Sequence, residues 1–142
     1  MLKLTRESHL DHGIPTAVLA HLLTLLGERD GFFVETVELP AELGVVPCAL
    51  RGPAVGDPPI PDSETEMRRR GERTWESRTT TLPPTRTRLV TIIAGPAGSD
   101  TCVLYTVYGG PCAPQEPDDP NLDPRRIGPS MDFWATHALS RD

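Results

Sequence analysis

Seven side chains could share one piece of chemistry: His9 and His12 near the start, Arg78 and Arg86 in the middle, Tyr105 and Thr106 on an apolar run, and His137 near the end. Imidazole titrates near neutral pH and so can take or give a proton there. One histidine can accept the proton of a ribose 2′-hydroxyl while another protonates the leaving oxygen, and arginine or tyrosine can stabilise charge on the phosphate. RNA carries its own nucleophile beside the bond to be broken, so a protein has only to position these groups. Metal-independent cleavage of RNA, without a cofactor, is the reaction this residue set suits.

Other chemistries lack their residues. The chain contains no phosphate loop, dinucleotide fingerprint, nucleophile elbow, zinc spacing or calcium loop. For a metal, only His9, Asp11 and His12 lie close in sequence, and further ligands would have to come from His137 or a distant acid. Cys102 and Cys112 flank the apolar run, but neither has a neighbouring base or a helix start to favour its thiolate. With Cys48 they make an odd number without metal-like spacing, which predicts reduced thiols in a cytoplasmic protein; a bridge between Cys102 and Cys112 is left open.

The candidate residues need elements to hold them. Residues 14–26 carry an apolar stripe at helical period, with Pro15 suited to the first helical position and Gly27 to a left-handed residue past the end. A short helical turn capped by Thr5 or Ser8 would set His9 and His12 on one face. Residues 32–39 alternate as a strand, and residues 43–50 suggest an edge strand interrupted by Pro47. Residues 64–70 and 73–81 flank Gly71 as a hairpin, with a capped helix over 62–70 as the competing reading. A second hairpin pairs residues 85–94 with 101–108, both central strands, and strict alternation makes Thr106 an inward residue beside Leu104 and Tyr108. A final helix from Pro129 or Ser130 to Ser140 would align Phe133, Trp134 and His137. Together these predict one domain over 1–142 of α+β class, with an N-terminal helical segment and a C-terminal helix packed on a mainly antiparallel, curved sheet.

Composition narrows the setting. Sixteen prolines and twelve glycines in a chain only 37% hydrophobic imply long loops, and these fall at 51–62 and 109–128. No run approaches the length needed to cross a bilayer and no signal segment opens the chain, so a soluble, cytoplasmic protein without a membrane partner is expected. The net charge of −6 argues against a protein that coats nucleic acid through a broad positive face. The basic charge is local: seven arginines between 68 and 88 against Glu72 and Glu76 give that segment +5, leaving −11 elsewhere.

Leu4-Thr-Arg-Glu-Ser-His9 at the start, arginine-bearing strands, the hairpin of Thr87-Arg-Leu-Val-Thr-Ile-Ile with Cys102-Val-Leu-Tyr-Thr-Val-Tyr, and a closing helix with His137 resemble, in layout, the compact bacterial ribonuclease toxins of the barnase, EndoU, colicin and RelE class. The resemblance implies RNA as partner, His9 or His12 as base, Arg78 or Arg86 on phosphate, Thr106 with Tyr105 or Tyr108 at the strand end, and His137 as acid. It leaves 40–62 and 109–128 without a counterpart.

A second reading is a non-catalytic, acidic protein-binding module, an accessory or inhibitory protein of phage or mobile-element origin. Its docking surface for a basic partner would be the Pro-rich loop with Glu116, Asp118, Asp119 and Asp123.

Overall fold

The helical stripe near the start forms as its period demands. In the computed structural model, which describes residues 2–4, 8–10, 13–51 and 63–140, helix α1 spans Thr16–Leu26 and buries Val18, Leu22 and Leu26, one residue per turn. Pro15 precedes the helix in extended conformation. Gly27 is right-handed (φ −61°, ψ −27°), not the left-handed terminator expected. The reason lies outside the helix: the Leu2 N–H donates to the Gly27 carbonyl at 2.9 Å, so the end is capped by another segment.

In chain order the strands are β1 (Leu2–Lys3), β2 (His9–Leu10), β3 (Phe33–Glu38), β4 (Val46–Pro47), β5 (Leu50–Arg51), β6 (Glu64–Arg70), β7 (Arg73–Thr80), β8 (Arg86–Thr87), β9 (Leu89–Pro96), β10 (Cys102–Gly109) and β11 (Ala138–Ser140). Helix α2 occupies Ile127–Thr136 and follows a 3-10 turn over Pro124–Arg126. The fold is α+β, as the sequence implies. The residues group into two compact units, 1–49 with 86–112 and 50–85 with 113–142.

The first unit is built on a five-stranded sheet. Its path runs β1-β10-β9-β3, with β2 also on β10. The β3–β9 and β9–β10 pairs are antiparallel, whereas β1 and β2 run parallel to β10. Val90, Ile92 and Ala94 of β9 and Cys102, Leu104 and Val107 of β10 join the α1 residues and Val37 in one apolar core. The central position expected of these two strands is observed, and only that position explains runs with so few polar residues. The edge strand expected over 43–50 is two short pieces: β4 pairs with β8 in a two-stranded ladder, and β5 belongs to the second unit.

The second unit is a four-stranded sheet of order β5-β11-β7-β6 covered by α2. Residues 64–70 are a strand rather than the competing helix, with Arg70 opposite Arg73 and Gly71 at φ 62° in the turn. Trp75, Ser77 and Thr79 alternate on β7 and are buried. The last helix begins earlier than expected and stops at Thr136. His137 is extended (φ −105°, ψ 127°), and the chain leaves as β11, parallel to β7. The loop at 51–62 lies outside the described residues beyond Arg51. The loop at 109–128 is packed: Pro117 and Leu122 are buried, and Arg73 donates to the Pro117 carbonyl at 2.8 Å.

Candidate functional site

The polar residues of β10 owe their placement to an irregularity that alternation does not foresee. Leu104 is opposite Ala94 and Thr106 is opposite Ile93, so Tyr105 is an extra residue, a β-bulge. Beyond it the faces exchange. Leu104 and Val107 both enter the α1 core, while Thr106 and Tyr108 stand on the other face. The expectation that Thr106 points inward beside Leu104 is thereby corrected.

Tyr105 is 41% exposed. Its ring fills the space over Gly95, where an added Cβ would come within 2.6 Å of ring Cε2, and its hydroxyl reaches toward the Pro96 carbonyl at 3.5 Å. Close by, β2 runs parallel to β10 with His9 as the register partner of Thr106 and Leu10 of Val107. The Ser8 hydroxyl donates to the Leu104 carbonyl and fixes that approach. His9 therefore lies in a strand, not in the helical turn the sequence suggested; a parallel ladder competes successfully because β10 offers an open edge. His12 lies outside the described residues. On the far side of the bulge, Thr91 donates to the Gly110 carbonyl and so accepts from the Thr36 hydroxyl, both at 2.9 Å.

Four arginines of the basic segment donate to backbone carbonyls. Arg88 gives two bonds to the Leu39 carbonyl, 2.9 and 2.7 Å, with Glu38 at 3.6 Å. Arg69 donates to the Gly71 carbonyl at 2.8 Å, and Arg73 reaches the Asp119 carbonyl at 3.4 Å besides that of Pro117. Of the two arginines expected on phosphate, Arg86 of the first unit is exposed and reaches the Val45 carbonyl at 3.5 Å. Arg78 of the second unit is exposed, and its guanidinium makes no hydrogen bond or ion pair among the described residues. His137, expected as the acid, also belongs to the second unit. It is only 4% exposed, its ring stacks on Phe133 at 3.8 Å, and Nδ1 lies 2.8 Å from the Phe133 carbonyl. The structure thus brings Tyr105, Thr106 and the backbone of His9 together, while Arg86 lies at another ladder of the same unit.

Gln115, Asn121, Asp123, Arg125 and Arg126 line a polar concavity of about 530 Å³ beside the acidic loop. Sequence reasoning noted Asp123 but not this grouping, which follows from the 3-10 turn after it. Hydrogen bonds from the Arg125 side chain, then from its backbone N–H, hold the Asp123 carboxyl below the usual carboxylate range. Because the folded value lies below the unfolded one, this interaction stabilises the fold above the unfolded value and is lost as pH falls through the folded value. An NMR titration is expected to show Asp123 protonating at lower pH than an ordinary aspartate, and Arg125→Gln is expected to move its midpoint upward. Equal midpoints in the two proteins would refute the assignment.

None of the three cysteines is in a disulfide; Cys48 and Cys102 are buried and Cys112 is exposed. Burial pushes the Cys102 thiol up, which disfavours the reactive thiolate. Alkylation of native protein is expected to modify Cys112 first, with Cys48 and Cys102 reacting only on unfolding; mass mapping that finds Cys102 modified at a rate near that of Cys112 would contradict this. Among the described residues no three metal-ligating side chains are clustered, and no helix is long and apolar enough to cross a membrane. The chain matches no protein-family model, no curated protein and no solved structure.

Proposed function

We propose that this chain is a metal-independent, ribonuclease-like domain whose reacting groups gather at the β10 bulge. The observation that carries this reading is the register that sets His9 opposite Thr106, next to the exposed Tyr105. Rigid strands are suited to holding such groups, and a bulge re-aims side chains at a sheet face. In the proposed reaction His9 takes the proton of a ribose 2′-hydroxyl, and the freed oxygen attacks the adjacent phosphorus. The bond from phosphorus to the 5′-oxygen breaks, that oxygen leaves with a proton from Tyr105, and a 2′,3′-cyclic phosphate is formed. The Thr106 hydroxyl donates to a phosphate oxygen. Purified protein with a chelator is expected to cut single-stranded RNA to cyclic-phosphate ends, and His9→Ala and Tyr105→Phe are each expected to slow this by about 100-fold. RNA left intact by the wild-type protein would reject the reading.

A different set of observations supports the acidic protein-binding module as second reading. The guanidinium groups of Arg69, Arg73 and Arg88 bond backbone carbonyls instead of facing a phosphate, His137 is enclosed, and the loop carrying Glu116 and Asp118 is held in place by Arg73 and by Ser130, whose hydroxyl donates to the Gln115 carbonyl. A preordered loop loses little entropy on docking. Calorimetry with an oligo-arginine peptide at low salt is expected to show binding that weakens in Glu116→Gln/Asp118→Asn; equal binding by the variant would exclude the loop as the docking surface.

A further inference from the structure

Among the buried polar atoms of the second unit, Ser77 Oγ, Trp134 Nε1 and His137 Nε2 have no hydrogen-bond partner among the described residues. Their residues are 1%, 7% and 4% exposed. A polar atom buried without a partner is strongly disfavoured, so each needs an explanation.

The backbone places their residues at one junction, that of α2 with β7. β11 runs parallel to β7 with Ala138 opposite Arg78. His137 and Ser77 each precede that rung by one residue, and His137 is already extended, so the line of the ladder continues through them. The Ser77 side chain belongs to the buried face of β7, the face on which α2 packs. Trp134 stands on α2 one turn before His137, its ring edge-on to Phe133 at 5.3 Å while the His137 ring stacks on the same Phe133.

Their bonding capacities are complementary. The Phe133 carbonyl only accepts, so His137 Nδ1 carries the proton in the bond between them, and in that tautomer Nε2 presents a lone pair. Thr136 agrees with this tautomer: its hydroxyl donates to the Phe133 carbonyl at 2.8 Å, which leaves a lone pair facing Nδ1–H at 3.2 Å. Trp134 Nε1–H can only donate, and the Ser77 hydroxyl can do either. A metal ion would be repelled by the indole N–H, and an anion by the imidazole lone pair. Water both donates and accepts, and a buried water makes about three hydrogen bonds.

We propose that one internal water molecule is bound at the junction of α2 and β7, accepting from Trp134 Nε1–H, donating to His137 Nε2 and sharing its third bond with the Ser77 hydroxyl. The water locks the end of α2 to the strand beneath it, at the point where the chain turns from helix to β11. His137 is in this account a positioning residue of the fold, whatever reaction or partner the protein serves.

Proton NMR of the full chain tests the site directly: the Trp134 indole N–H is expected to exchange slowly and to show a cross-relaxation peak to a long-lived water. Nitrogen-15 spectra are expected to show the Nδ1–H tautomer of His137, with the Nε2 signal displaced in both Ser77→Ala and Trp134→Phe. In a thermal double-mutant cycle the two variants each lower the midpoint, and the double variant falls by clearly less than the two drops combined. Additive drops, a direct indole-to-imidazole contact without the water peak, or an Nε2 signal that ignores both substitutions would each overturn the proposal. Both substitutions are small truncations, and the spectra report on the folded protein in every case.

Discussion

Gly109→Ala is expected to destabilise the first unit by at least about 3 kcal/mol, at the upper end of what overpacking costs. A Cβ at this position would lie 1.9 Å from the Pro47 carbonyl oxygen and 3.0 Å from both the Pro47 carbonyl carbon and Val46 Cγ2. The obstacle is backbone, not the end of a flexible side chain. It is also held from several sides: Pro47 pairs with Arg86, Val46 pairs with Thr87 and is fully buried, and the Ala49 N–H donates to the Gly109 carbonyl at 2.8 Å. Relief requires β4 to move away from β10, which breaks that bond and opens the core around Val46. Backbone conformation is not the cause, since Gly109 is not among the glycines with positive φ. Gly128→Ala supplies the contrast. That glycine lies in α2 with no atom near an added Cβ, so alanine is expected to be neutral or to raise stability by up to about 1 kcal/mol through helix propensity. Urea melts of the three proteins measure both effects, and a Gly109→Ala midpoint equal to that of wild type would show that β4 yields freely.

Such a close approach illustrates what was readable beforehand. Gly109 could be seen as the residue just past a strand, but that Pro47 lies against it depends on a contact between segments 62 residues apart, which no local pattern encodes. Where the signal was local it sufficed. The hairpin around Gly71 and the pairing of β9 with β10 both follow from period-two alternation between turn residues, and α1 follows from its stripe. Where an element is defined by its partner, local reading failed. His9 and Leu10 form a strand only because β10 has an open edge, and Ala138 to Ser140 form one only because β7 does. In both places a helical reading was locally reasonable.

The bulge at Tyr105 has the sharpest consequence for the candidate site. One extra residue exchanges the faces of everything after it, so Thr106 moves from the core to the face carrying Ile93. The glycine that accommodates it was visible: Gly95 stands just past the cleanest part of β9, and its missing side chain is where the Tyr105 ring rests. Alternation alone gives no reason to connect the two. The grouping of Tyr105 with His9 thus required three-dimensional information twice, once for the bulge and once for the parallel strand. The alignment of His137 with Phe133 and Trp134 was visible, and the structure stacks the His137 ring on Phe133, which meets Trp134 edge-to-face; that β7 sets Ser77 in line with His137 was hidden, because that strand lies in another part of the sequence.

Trp134→Ala is expected to cost the second unit about 3–5 kcal/mol, the range for removing a large buried aromatic. Trp134 is one of the few large apolar side chains buried in this unit, where Trp75, Leu50 and Leu122 are others. A sheet of four strands with one covering helix has little else to replace it, because the neighbouring buried positions on β7 are Ser77 and Thr79. The cavity would also remove the edge-to-face contact with Phe133, on whose ring His137 is stacked. Trp134→Phe keeps most of the volume and removes the indole N–H, so its smaller loss separates packing from hydrogen bonding. Amide exchange offers the local readout: in Trp134→Ala the β7 amides from Trp75 to Thr80 are expected to lose protection together with those of α2. A loss below about 1.5 kcal/mol, with β7 protection intact, would mean that α2 is dispensable to this sheet and that its seat on β7 is not what holds the closing strand in place.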